Sequence, residues 1–109
     1  MTKDRRYLIG FLPALTANKG QSKHFVGAFK YALRYINGLL RASKAGYQLD
    51  YMLVDNKADT AESLRGMTLQ YFNDCIAFIG PEDTCAIEAR LAAAWNLPMI
   101  AFVSVLVLL

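Results

Sequence analysis

Short unbroken apolar runs alternate along the chain with longer stretches in which apolar residues recur every three or four positions. The first run, residues 7–12 (YLIGFL), has no polar member, which predicts a strand covered on both faces and ended by Pro13. In Ser22–Ala42, Phe25, Phe29, Ala32, Leu33, Ile36, Leu39 and Leu40 share one helical face, with Lys23, Lys30, Arg34, Asn37 and Arg41 between them. This is the pattern of an amphipathic helix capped near Ser22. Gly46 marks a turn, after which Leu49, Tyr51 and Leu53 alternate with Asp50 and Met52 in a second strand ending at Asp55 and Asn56. Asp59 three positions before Glu62 imitates a capping box, and Leu64, Met67, Thr68 and Tyr71 keep helical spacing behind it. Residues 75–80 (CIAFIG) read as a third strand leaving at Gly80 and Pro81. A third helix follows over residues 85–96 with Ile87, Leu91 and Trp95 as its inner stripe; Pro98 stops it, and residues 99–102 begin a fourth strand.

The order is βαβαβαβ. Right-handed crossovers make this an α/β fold with a doubly wound parallel sheet, and the expected strand order is 2-1-3-4. Ligands of such sheets settle at the carboxyl ends of the strands, here residues 13–20, 55–59, 80–85 and 101–104. The ligand-facing candidates are therefore Thr16, Asn56, Glu82, Asp83 and Thr84. Thr84, Cys85 and Ala86 would offer amides to an anion at the start of the third helix, unless Glu82 and Asp83 satisfy the helix dipole themselves. Trp95 is expected in the helix core rather than at a ligand.

With 109 residues, 55% hydrophobic and 19% charged, the chain closes one small domain or part of one. The net charge of +3 is spread out, with no basic run longer than Arg5-Arg6, so no nucleic-acid footprint stands out. Lys30, Tyr31, Arg34 and Tyr35 read as the solvated face of the first helix. Neither a G-x-G-x-x-G nor a phosphate-binding G-x-x-x-x-G-K-[ST] motif is present, and the acids of a phosphoacceptor site are missing where strand one ends in Pro13-Ala14 and strand three in Gly80-Pro81. One histidine and two cysteines lack metal-site spacing, so no metal is expected. A nucleophilic pairing of Cys85 with His24 would be the one route to an enzyme. A bond between Cys75 and Cys85 is disfavoured, because the strand between them separates its ends by roughly 17–20 Å.

The basic start and apolar residues 7–15 imitate a secretion signal, but the cleavage end is poor and Gly10 and Pro13 interrupt the run, favouring a buried strand. Residues 99–109 (MIAFVSVLVLL) would span roughly 16 Å as a helix, too little for a complete membrane anchor. A buried strand followed by an aggregation-prone tail is the expectation.

The sequence IGFLPALT, the pair Asp55-Asn56 and above all FIGPEDTCAIEARLAAAWNLPMIAF resemble the extracellular ligand-binding region of receptor-type guanylyl cyclases, which is similar to natriuretic peptide receptors and of the type I periplasmic-binding-protein class. The resemblance runs from about Tyr7 to Phe102, so residues 1–109 would be a partial N-terminal lobe with an atypical tail at 103–109, as in a truncated, spliced or prematurely ended product. It implies a plasma-membrane receptor with this part outside the cell, binding a peptide or small-molecule ligand and dimerising through the full receptor. Its cyclase domain would lie outside this chain, which would not itself be an enzyme. It also implies a chloride ion as the single candidate cofactor, at a turn such as that of residues 80–85, although Glu82 and Asp83 lengthen that turn. A disulfide at Cys85 is implied as well, its partner left open. An autonomous α/β ligand- or anion-binding module, and a non-functional product, are the alternative readings.

Overall fold

In a computed structural model of the chain, residues 5–16, 22–82 and 84–102 are described. The elements run β1 (Arg5–Phe11), α1 (Ser22–Ala42), β2 (Tyr47–Leu53), α2 (Thr60–Phe72), β3 (Cys75–Glu82), α3 (Ala86–Ala94) and β4 (Met99–Phe102). All strand pairs are parallel, and the sheet order is β2-β1-β3-β4. The expected α/β topology and strand order are those observed. The tail at 103–109 lies outside the described residues.

Alternation along β1 divides the core in two. Phe11 turns to one face, where it stacks on Phe29 of α1 at 4.1 Å between ring centroids, with Tyr51 of β2 edge-on to Phe29 at 5.3 Å. Leu12 turns to the other, joining Met67 of α2, Phe78 of β3 and Ala92 of α3 in a buried cluster edged by Val54, Leu91, Trp95, Leu97 and Met99. The two helices α2 and α3 thus share one face and α1 holds the opposite one. Trp95 stacks on Tyr71 at 4.1 Å and flanks Phe78, which places it with the core.

Each helix differs from the expected inner stripe. On α1 the half-buried positions are Val26, Phe29, Leu33, Asn37 and Leu40, while Phe25, Ala32, Ile36 and Leu39 are exposed. On α2 the fully buried residues are Ser63, Gly66, Met67 and Gln70, and Tyr71 is exposed. On α3 Glu88 and Ala92 are buried and Ile87 is 53% exposed. All three share one feature: a polar side chain that makes hydrogen bonds (Asn37, Gln70, Glu88) takes an inward position, although Gln70 Oε1 and Glu88 Oε1 have no partner among the described residues. Gln70 donates from Nε2 to the carbonyls of Met52 (2.9 Å) and Phe11 (3.2 Å), bridging β1 and β2. Its carboxamide lies over Gly10, where an added Cβ would come within 2.5 Å of Oε1.

Strand β3 runs two residues further than the apolar run implies. Pro81 and Glu82 remain in the sheet, and Glu82 pairs with Phe102 across a register shift. The peptide between Gly80 and Pro81 is cis. Gly80 adopts φ +102°, and a Cβ there would stand 2.8 Å from the carbonyl oxygen of Leu12, so β1 and β3 approach too closely at this point for any side chain.

Candidate functional site

Beyond the last regular residues of β1 and β2, backbone bonds continue and fix the loops of the carboxyl edge. Leu12 N–H reaches Ile79 O at 3.0 Å, Val54 N–H reaches Phe11 O at 2.9 Å, and Asn56 N–H reaches Pro13 O at 2.9 Å. These bonds explain why Leu12, Pro13 and Ala14 are buried although they follow the strand.

Asn56 is the centre of a buried polar chain. Its Nδ2 donates to Ser63 Oγ (3.0 Å) and to the backbone carbonyl of Glu82 (2.9 Å), while its Oδ1 accepts from Ala58 N–H (3.0 Å). Ser63 Oγ lies 3.3 Å from Thr84 Oγ1, and the Thr84 hydroxyl donates to Glu88 Oε2. A buried amide with three partners is worth more as a fastener than any exposed pair, since breaking it strands several polar groups at once. Asn56 therefore ties the exit of β2, the start of α2 and the exit of β3 into one unit.

Glu82, 4% exposed, accepts the Ala14 N–H at 2.8 Å and so links the exits of β3 and β1. Asp55 performs the same service nearer solvent. It accepts from Leu15 N–H (2.8 Å), Thr16 Oγ1 (2.8 Å) and Lys57 N–H (2.9 Å). Burial by itself would raise the Asp55 pKa, but the donors at Lys57, Thr16 and Leu15 together outweigh it and hold the carboxyl below the usual carboxylate range. Lys57 and Ala58 both have positive φ, at 54° and 53°, and the side-chain oxygens of Asp55 and Asn56 hold the two amides of that turn. At the start of α2, Asp59 accepts the Glu62 N–H at 3.0 Å as an N-cap.

The structure thus gathers Thr16, Asn56, Glu82 and Thr84 at one edge of the sheet, with Thr16 exposed, Thr84 half-buried, and Asn56 and Glu82 inside. Asp83 lies outside the described residues. Asp55, Ser63 and Glu88 complete the edge without having been singled out as candidates; the signal for Asp55 was its position beside Asn56 at a strand end.

At the start of α3, Glu88 is 1% exposed in the first turn and takes the Thr84 hydroxyl, so that hydroxyl is already engaged by a carboxyl group. Glu88 Oε1 is buried and has no hydrogen-bond partner among the described residues. Cys85, at the N-cap of α3, makes no side-chain cap bond. Both cysteines are free thiols, Cys75 at the start of β3 and Cys85 three residues beyond its end. Burial, and then the neighbouring Asp74, push the Cys75 thiol pKa up, which disfavours the thiolate. His24 lies in α1, and Cys85 precedes α3 on the opposite face of the sheet. Away from the carboxyl edge, a cavity of about 430 Å³ lined by Tyr71, Phe72, Asp74, Cys75, Ile76 and Leu97 opens where β3 begins.

Two curated relatives connect this fold with a class of proteins. The chain is 34% identical over 97 residues to guanylate cyclase 32E of Drosophila melanogaster and 32% identical over 97 residues to the resact receptor of Arbacia punctulata. Each match covers 86% of this chain but only 8% and 10% of the respective relatives. The chain is thus related to receptor guanylate cyclases through a small segment of their length. No family profile matches it. No solved structure matches it either. None of the described helices is long and apolar enough to cross a membrane.

Proposed function

We propose that this chain forms part of the extracellular ligand-binding region of a receptor guanylyl cyclase, as an incomplete first lobe of the periplasmic-binding-protein kind. The observation that carries this reading is the 97-residue relation to guanylate cyclase 32E and the resact receptor, set on a parallel sheet of order β2-β1-β3-β4 whose loops converge at the carboxyl edge. A peptide or small-molecule ligand meets that edge. Thr16 and Thr84 face it, Asp83 stays a candidate from the sequence alone, and Asn56 and Glu82 hold their loops in place. Guanylate cyclase activity belongs to a part of the receptor outside the matched segment, and the receptor signals as a homodimer at the plasma membrane.

The test is a chimera in which the matched 97-residue segment of the resact receptor is replaced by its counterpart from this chain. The chimera is expected to reach the cell surface and bind resact, and Thr16→Val with Thr84→Val is expected to weaken binding about tenfold without lowering surface display. A displayed chimera whose affinity ignores both changes would remove the carboxyl edge from the ligand site.

A further inference from the structure

Helix α1 contains no acidic residue, yet it carries Lys23, Lys30, Arg34 and Arg41. Lys30 and Arg34 are four positions apart, a like-charge spacing that weakens a helix unless something offsets it. Both line a cavity of about 290 Å³ between α1 and the β2 edge, together with Arg6, Asp50, Tyr51 and Leu49. The sole carboxylate of this cavity is already engaged. Asp50 Oδ2 lies 3.7 Å from Arg6, and its Oδ1 accepts the Tyr51 N–H at 2.8 Å. Lys30 and Arg34 have no ion pair among the described residues. Lys30 and Arg34 thus share with the Arg6–Asp50 pair a groove that also has Leu33, Leu49 and Tyr51 in its lining, an excess of positive charge that favours an anion.

The chemistry also selects the kind of anion. Leu49 N–H and C=O are both taken by the side chain of Asn37, at 2.8 Å each, and the Tyr51 N–H by Asp50 Oδ1, so the middle of the β2 edge offers an added peptide strand little backbone pairing. What remains is a guanidinium fork at Arg34, the point charge of Lys30, and Arg6 at the rim. That set matches the oxygens of a phosphate or sulfate ester. We propose that the groove between α1 and β2 binds a phosphate- or sulfate-bearing ligand through Lys30 and Arg34, with Arg6 as an outer contact. The site is separate from the carboxyl edge and does not depend on the receptor reading.

Calorimetric titration of the 109-residue chain with sodium pyrophosphate, and in parallel with a sulfated heparin disaccharide, tests it. Saturable one-site binding is expected, weakening as salt is raised. Lys30→Gln with Arg34→Gln should lower the affinity at least tenfold, while Lys30→Arg retains it and Arg65→Gln on α2 leaves it unchanged. Tighter binding of the disaccharide would assign a sulfated sugar as the source; tighter binding of pyrophosphate, a phosphorylated one. Absence of saturation with both probes, or equal loss in Arg65→Gln, would overturn the proposal by reducing it to net charge. Circular dichroism of each variant is read first; should the double variant unfold, Lys30→Gln and Arg34→Gln taken singly carry the same expectation and the same refutation.

Discussion

The carboxamide of Asn37 exchanges two hydrogen bonds with the backbone of Leu49, donating to its carbonyl and accepting from its N–H at 2.8 Å each. A side chain of α1 thereby plays the part of a neighbouring strand along the free edge of β2. Unpaired strand edges invite pairing with other chains, and this arrangement closes one at its middle. Asn37→Leu is expected to lower stability by about 1–3 kcal/mol by stranding both backbone groups, and to promote self-association. Urea unfolding measures the first and light scattering the second. A variant as stable and monomeric as the parent would show that the edge needs no such cover.

Asn56→Ala removes a fully buried amide with three partners. The expected cost is about 2–4 kcal/mol in urea unfolding. Ser63→Ala, which removes one of those partners, should cost about 1 kcal/mol. If Asn56→Ala retained full stability, the three loops would be held by something other than this chain of polar contacts.

Gly80→Ala forces a Cβ to within 2.8 Å of the Leu12 carbonyl at a positive φ. Displacement of β1 from β3 is expected, with at least 2 kcal/mol lost (about 1–3 for the backbone strain alone). A Gly46→Ala change, where φ is also positive but no atom lies within 4 Å, should cost only the conformational part. Thermal melts of the two variants side by side separate the close approach from the dihedral.

Asp55 sets a pH dependence whose sign follows from its lowered pKa. A carboxylate held below its unfolded value contributes stability that is complete above that unfolded value, about 3.9, and is lost as the pH falls through the folded one. Acid titration of stability should therefore be shallower in Asp55→Asn than in the parent, with the two curves converging at low pH. Parallel curves across the acid range would mean that the Leu15, Thr16 and Lys57 donors do not bind the ionised form preferentially.

Much of this fold was legible because strands and helices announce themselves by different periods. The run YLIGFL, the alternation of Leu49, Tyr51 and Leu53, and the breaks at Pro13, Gly46 and Pro98 led to the element order and, once a doubly wound sheet was expected, to the strand order. Helix faces were harder, because hydrophobic periodicity counts a polar residue as outward. Asn37, Gln70 and Glu88 all turn inward to make bonds with backbone or with Thr84. Asn37 could have been recognised, for it lies four after Leu33 and three before Leu40, on the apolar stripe itself. At the carboxyl edge the sequence located the loops but not their roles. That Asn56 and Glu82 point inward depends on contacts 26 and 68 positions away along the chain, which no local pattern records.

The proposed placement of this segment outside the cell, as part of a receptor, can be measured directly. An epitope inserted at the exposed turn after α1, beside Lys44, in the resact-receptor chimera would be probed with antibody on intact and on permeabilised cells. An intracellular tag on the same protein reports whether the membrane stayed closed. Strong labelling of intact cells, with the intracellular tag silent, is the predicted result. Labelling of the inserted epitope only after permeabilisation would contradict the account.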